Sequence, residues 1–215
     1  MAIKISILNP KGGAGKSTLA IHLARGFQLK GKSVIIADTD EQGSALDWRA
    51  QEHESIEYPS VMGMNPSTLE TDLKHLDKAV DVIIVDGAAK LTASQMVPSI
   101  KVANLVVIPL QPSGLDVWAV NDLVDIITAR REATGGKPLT YFMLSKADDR
   151  TVLTRDVPEV LETMNLPVMK AKFSDREEFK KRVTDGETVF ELPSSNLARQ
   201  EAEAVLTEIE EIING

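Results

Sequence analysis

Pro10-Lys-Gly-Gly-Ala-Gly-Lys-Ser-Thr18 decides the reading of this chain. Before it stands an apolar run, Ile3-Lys-Ile-Ser-Ile-Leu8, that predicts a strand. After it, Thr18-Leu-Ala-Ile-His-Leu-Ala-Arg-Gly-Phe27 predicts a helix. A phosphate loop needs this context: glycines let backbone N–H groups curl around a polyphosphate, and the following helix turns its positive dipole end toward it. Lys16 is placed to reach the β- and γ-phosphates, and the Ser17 hydroxyl to ligate Mg²⁺. A glycine-rich turn that binds nothing is the plain alternative, but three glycines and two lysines in this order rarely arise for packing alone.

The loop departs from ordinary Walker A spacing, because Pro10 stands where a glycine is expected and a second lysine, Lys11, follows. Lys-Gly-Gly-x-Gly-Lys-Ser/Thr resembles the deviant Walker A loop of the ParA/MinD superfamily, which includes plasmid- and chromosome-partition ATPases. The resemblance implies that Lys11, Gly12, Gly13, Ala14, Gly15, Lys16, Ser17 and Thr18 bind ATP with Mg²⁺. It also implies a homodimer that sandwiches ATP, with Lys11 reaching the partner's phosphates and stabilising charge there as an arginine finger does.

Ser33-Val-Ile-Ile-Ala37 predicts a second buried strand that delivers Asp38 and Asp40 at its carboxyl end, the ligand edge of a parallel doubly wound sheet. Asp38-Thr-Asp-Glu-Gln42 resembles the family's Asp-x-Asp-Pro-Gln segment, with Glu41 in the place of proline. There the second aspartate, here Asp40, positions or activates the attacking water, and the first, here Asp38, supports the Mg²⁺ shell. Asp81-Val-Ile-Ile-Val-Asp86 predicts a strand ending in the Walker B aspartate, Asp86, which holds Mg²⁺ through water. The family commonly follows this aspartate with a pair of prolines; Gly87-Ala88-Ala89 stands here.

Between these strands, Pro66-Ser67-Thr68 opens a predicted helix through Leu69, Leu73 and Leu76. Trp48 fits helix packing or a partner contact equally well. Ala103 to Leu110 and Leu139 to Leu144 predict further strands, and Gln111 to Asp116 leads into a helix carrying Trp118, Leu123, Ile126 and Ile127. In the partition ATPases that this segment resembles, the loop and helix start contribute to the nucleotide-dependent dimer. Ser145-Lys-Ala-Asp148 has the look of a guanine-reading motif with serine in first place. Beside an ATPase loop, Ser145 and Lys146 are expected to line the adenine pocket without Asp148 reading guanine. A helix is expected from Val157 to Met164, broken or begun near Pro158, and a short strand from Pro167 to Lys170.

Composition narrows the field. The 215 residues suit one domain, 1–215, and the 43% hydrophobic content is ordinary for a globular core. With no cysteine, disulfides, thiolate zinc sites and iron–sulfur clusters are excluded. No apolar run approaches membrane-spanning length, and the N-terminus lacks a signal pattern and enters the first strand directly, so a cytoplasmic protein is expected. The net charge of −8 argues against a general nucleic-acid coat, though a local basic patch can bind DNA.

One such concentration exists: Lys170, Lys172, Arg176, Lys180, Lys181 and Arg182. Interleaved Asp175, Glu177 and Glu178 make a solvated helix face the competing reading. Resemblance favours DNA, since partition ATPases of this kind bind it non-specifically through basic residues of the C-terminal half. The last predicted helix, Asn196 to Asn214, carries an apolar stripe and a glutamate-rich face that anionic lipid would repel, so it is expected to pack on the sheet.

The expected fold is therefore α/β: a doubly wound, mostly parallel sheet with helices on both faces, a P-loop NTPase of deviant Walker A type. The expected function is a weak ATPase switch in DNA partition, nucleoid-associated when ATP-bound, with a partner protein that stimulates hydrolysis. The alternatives are a positioning ATPase for another cargo, such as a chemoreceptor cluster or microcompartment, and a small-molecule ATP-dependent ligase on the same scaffold.

Overall fold

A computed structural model describes residues 1–51, 56–89 and 92–215. In chain order it contains β1 (Ile3–Ile7), α1 (Lys16–Leu29), β2 (Val34–Asp38), α2 (Ser44–Arg49), β3 (Ser60–Gly63), α3 (Leu69–Leu76) and β4 (Val82–Asp86). A 3₁₀ turn (Ala93–Met96) then leads to α4 (Val97–Val102), β5 (Leu105–Leu110), α5 (Gly114–Ala119), α6 (Asn121–Ala133), β6 (Leu139–Leu144), α7 (Val152–Glu162), α8 (Glu177–Thr184) and α9 (Leu197–Asn214). The strands form one parallel sheet in the order β3-β2-β4-β1-β5-β6.

The sheet is covered on both faces, and the strand sequences show it. Leu105 and Val107 of β5 join the core under α1, α8 and α9, whereas Val106 and Ile108 join the core under α6 and α7. A third apolar cluster places Leu69 and Leu73 of α3 against Ile83 and Val85 of β4. Strands buried on both sides lose hydrophobic alternation and read as continuous apolar runs, which is why β4 and β5 are legible as strands. Register then aligns the chemistry: Asp38 pairs with Asp86, and Ile7 also pairs with Asp86, so three carboxyl strand ends are level.

Several sequence expectations are corrected. β3 has no apolar run and was not foreseen, because a four-residue edge strand with mostly exposed side chains needs none. Pro167 to Lys170 is not a strand but a single bridge, Phe142 to Val168, with a second at Ala147 and Ser174. Pro167 accepts from the Phe142 N–H but has no N–H to return, so the segment follows the open edge of β6 irregularly. α7 begins at Val152, capped by the Thr151 hydroxyl, and carries Pro158 inside rather than at its start. The helix after β5 is two helices with a break at Val120, and Trp118 is 70% exposed while Leu123 and Ile127 are buried.

Trp48 is core: it is buried edge-on against Tyr58, and its indole N–H donates to the Glu187 carbonyl. α9 packs its apolar stripe into the core as expected. Its glutamates do more than face water. Glu208 accepts from the N–H groups of Lys170 and Ala171, and Glu201 accepts from Ser174 N–H and Oγ, so α9 fixes the course of residues 170–176. Among the described residues no helix is long and apolar enough to cross a membrane.

Candidate nucleotide site

The phosphate loop leaves β1 through Asn9, a buried residue whose Oδ1 accepts from Lys11 N–H at 2.7 Å and whose Nδ2 donates to the Pro109 carbonyl at 2.7 Å. The loop ends at Gly15, whose φ is +95° and where a Cβ would fall 2.5 Å from Ser145 Oγ; glycine is required on both counts. Between these points the Gly13 carbonyl accepts from Lys146 Nζ at 2.6 Å and from Gln111 Nε2 at 3.1 Å. The carboxyl ends of β5 and β6 thus hold the loop; Ser145 and Lys146, expected at the adenine, lie against Gly15 and Gly13 of the phosphate loop.

α1 starts at Lys16, and the loop's open amides lead into its first turn. Lys16 is buried, its Nζ donating to the Lys11 carbonyl at 3.1 Å. Burial lowers its pKa, opposed by the charges of Asp86 and Asp40. Gly12, Gly13 and Lys16 to Thr18 open onto a cavity of about 690 Å³, whose other walls come from the loop after β2, from Ala88 and Ala89, from Lys146 and from α8.

The three aspartates divide the work. Asp86 is fully buried and neither carboxylate oxygen has a hydrogen-bond partner, although Ser17 lies near enough to draw its pKa down; burial pushes it up to about 7. An unpaired buried carboxylate beside a serine hydroxyl fits a divalent cation, which would return the charge compensation that burial removes. Ser17 and Asp86 would hold Mg²⁺, the rest of its shell coming from phosphate and water. Among the described residues no group of three or more His, Cys, Asp or Glu side chains is placed to hold a metal ion.

Asp38 spends both oxygens on the backbone, Oδ1 accepting from Asp40 N–H and Oδ2 from Ala45 and Leu46 N–H, so it orders the loop and the first turn of α2. Burial raises its pKa first, and those N–H groups pull it back. Asp40 lies on the cavity wall. Its Oδ1 accepts from Gln42 N–H and its Oδ2 from Ala89 N–H at 2.9 Å, which joins the loops after β2 and β4. Gly87 opens the second loop where a Cβ would lie 2.6 Å from the Ile7 carbonyl oxygen. Asp148 takes no part: both its oxygens hold Arg150, which lowers its pKa to about 2.

Lys11 points out of this cavity. Its Nζ lies 2.8 Å from Asp116 Oδ2 on α5, with the lysine side chain 41% exposed and the aspartate 3%. Ser113 Oγ donates to the same oxygen. Of the six basic residues named for DNA, four are ion-paired: Lys172 with Asp149, Arg176 with Glu201, Lys180 with Asp175, and Arg182 with Glu187. Lys170 and Lys181 have no ion pair among the described residues. Lys180 also lines the cavity, a place the linear cluster did not suggest. Asn9, Gln111 and Asp116 were not singled out as site residues; Asn9 and Gln111 follow the carboxyl ends of β1 and β5, and the stretch from Gln111 to Asp116 had been read only by resemblance, as part of a dimer contact.

A parallel sheet whose central strand ends in this loop defines a P-loop nucleotide-binding domain. The chain belongs to the CobQ/CobB/MinD/ParA nucleotide-binding domain family, whose model matches residues 5–189. Over its whole length it is similar to maintenance of carboxysome distribution protein A of Halothiobacillus neapolitanus, 26% identical over 97% of this chain and 96% of that one. Protein ParA of Rhizobium radiobacter is 31% identical over 66% of this chain and 65% of that one. Among solved structures, the fold matches apo McdA of Cyanothece with a TM-score of 0.80 at 15% identity, covering 97% of this chain and 100% of that one.

Proposed function

We propose that this protein is an ATP-dependent dimerising switch that positions a macromolecular cargo. Two subunits join face to face over ATP and Mg²⁺, and hydrolysis, slow until a partner protein stimulates it, parts them. The observation that carries the reading is the direction of Lys11. A cation in the phosphate loop that sits outside its own cavity, on Asp116, is poorly placed to serve its own phosphates and well placed to meet those of a second subunit. The exposed Leu115 and Trp118 flank Asp116 on α5 and offer apolar area to the same contact.

Within each subunit, Lys16 and the loop amides bind the phosphates, Lys146 and Gln111 hold the loop in shape, and Ser17 and Asp86 hold the metal. Asp40 orients the attacking water, and its bond to Ala89 carries the state of the γ-phosphate into the loop after β4. The end-to-end similarity to carboxysome-distribution proteins supports a positioning function, the alternative weighed from sequence. Plasmid or chromosome partition is the second reading, favoured by the 31% identity to a ParA protein. In both, the ATP-bound dimer rests on DNA through Lys170, Lys181 and those paired cations that exchange a carboxylate for a phosphate.

The test is oligomeric state, phosphate release and DNA binding, measured with ATP, with ADP and without nucleotide. Dimer and DNA binding with ATP alone are expected. A protein that stays monomeric with ATP bound and turns it over against a small-molecule acceptor would move the assignment to the ligase reading.

A further inference from the structure

α8 was read from sequence as part of a DNA-facing patch, yet it closes one wall of the nucleotide cavity. Lys180 and Val183, one turn apart, both line that cavity. Phe179, which shares its face with Val183 one turn on, is buried with its ring stacked on Phe173 at 4.2 Å and 5.4 Å from the ring of His22 in α1. The helix that carries Lys180 is therefore fastened by its core side to the helix whose first turn carries Lys16, Ser17 and Thr18.

We propose that Lys180 binds the nucleotide itself, contacting the part common to ATP and ADP. Asp40 and Lys16, both on the cavity wall, are the groups expected at the γ-phosphate. Lys146 is spent on the Gly13 carbonyl. The α8 wall offers a cation beside an apolar side chain, a pairing that suits an α-phosphate next to a ribose or base. Lys180 is free to move there. Its partner Asp175 lies 3.2 Å away and the two side chains are 59% and 55% exposed; so exposed a pair contributes little, and a phosphate or hydroxyl can replace the carboxylate. The inference rests on the nucleotide-switch reading and adds a residue to its binding site.

The experiment is calorimetric titration of the full chain with ADP and with a slowly hydrolysed ATP analogue, Mg²⁺ present and DNA absent. Lys180→Ala is expected to weaken both ligands by the same factor, roughly tenfold, as the loss of one charge-assisted hydrogen bond. Lys180→Arg should recover most of the affinity. Lys32→Ala, which removes an exposed charge before β2 at the amino edge of the sheet, should change neither ligand. Affinity within twofold of the parent in Lys180→Ala, or an equal loss in Lys32→Ala, overturns the proposal. If the parent itself binds neither ligand, the nucleotide reading fails first; if the parent binds and Lys16→Ala does not, the Lys180 result stands on its own.

Discussion

Lys11 Nζ donates to Asp116 Oδ2 at 2.8 Å, across the gap between the phosphate loop and α5, and the two ends of this bond are unequal: the ammonium is partly in water, the carboxylate is buried. Asp116 Oδ1 has no hydrogen-bond partner, so Lys11 and Ser113 supply its compensation through Oδ2. In the proposed dimer Lys11 leaves for a phosphate, and the cost of stranding Asp116 opposes that step.

Two variants separate these roles. Asp116→Asn keeps an acceptor for Ser113 and releases Lys11, so ATP-dependent dimerisation should tighten several-fold. Lys11→Ala leaves ATP binding by each subunit largely intact, while dimerisation and hydrolysis both fall, the rate by about a hundredfold. It also strands Asp116, at about 1–2 kcal/mol of stability given the exposure of the lysine. Light scattering and phosphate release for both variants check this; a Lys11→Ala protein that dimerises and hydrolyses like the parent removes the cross-subunit lysine from the mechanism.

Asp86→Asn should make the nucleotide-free protein more stable while ending metal-dependent binding. The folded-state pKa of Asp86 is raised to about 7 from 3.8. Its contribution to stability is therefore full below about pH 3.8 and lost as pH rises through 7. At pH 8 in chelator the asparagine protein should melt a few degrees higher, about 1–3 kcal/mol in the parent's disfavour, and the gap should close by pH 4. Calorimetric melts at the two pH values decide it; a parent more stable than the variant at pH 8 contradicts an unpaired buried charge.

Sequence made the phosphate loop and the buried parallel strands legible, because both impose local demands. Gly15 must be glycine, and a strand buried on two faces must be apolar throughout. What stayed hidden is set by neighbours distant in sequence. Asn9 bonds to Pro109, Lys11 to Asp116 and Asp40 to Ala89, and no spacing rule predicts which carboxylate a surface lysine meets. The basic run near the C-terminus carries the interleaved acids seen in sequence into ion pairs in space, but that Lys180 also lines the cavity was not legible. The single helix expected to carry Trp118 with Leu123 is two, α5 and α6, a break that no glycine or proline marks in the sequence.

Acid should destabilise the protein partly through His22. The ring is buried against Phe173 and Phe179, Nδ1 bonds to the Thr18 carbonyl, and Nε2 has no partner. Burial lowers its pKa to about 4, so the imidazole stays neutral and Nδ1 carries the donated proton. The unfolded chain takes up a proton near pH 6.5 and the folded chain only near 4, so stability falls as pH drops through that window, by about 3 kcal/mol at most. His22→Phe should start lower, having lost the Thr18 bond, but its denaturation midpoint should fall less steeply between pH 6.5 and 4. Parallel profiles would mean that carboxylates alone carry the acid sensitivity.

The last test concerns Asp40, which the geometry places on the cavity wall with a bond to each neighbouring loop segment. Asp40→Ala removes acceptors from Gln42 and Ala89 N–H but leaves Lys16, Ser17, Asp86 and the loop amides in place. ATP should therefore bind with affinity within a few-fold of the parent. Hydrolysis should fall by about a hundredfold or more, roughly 3 kcal/mol, since the group that orients the attacking water is gone. Binding outlasting hydrolysis, the ATP-bound dimer should accumulate. Asp40→Asn separates the charge from the bonds: it can still accept from Ala89 N–H, so the loop after β4 keeps its tether while the rate stays low. Comparing the two by phosphate release, and by proteolytic protection of residues 87–92 with ATP bound, divides catalysis from signalling. Equal loss of protection in both variants would show that the Asp40–Ala89 bond does not carry the nucleotide state.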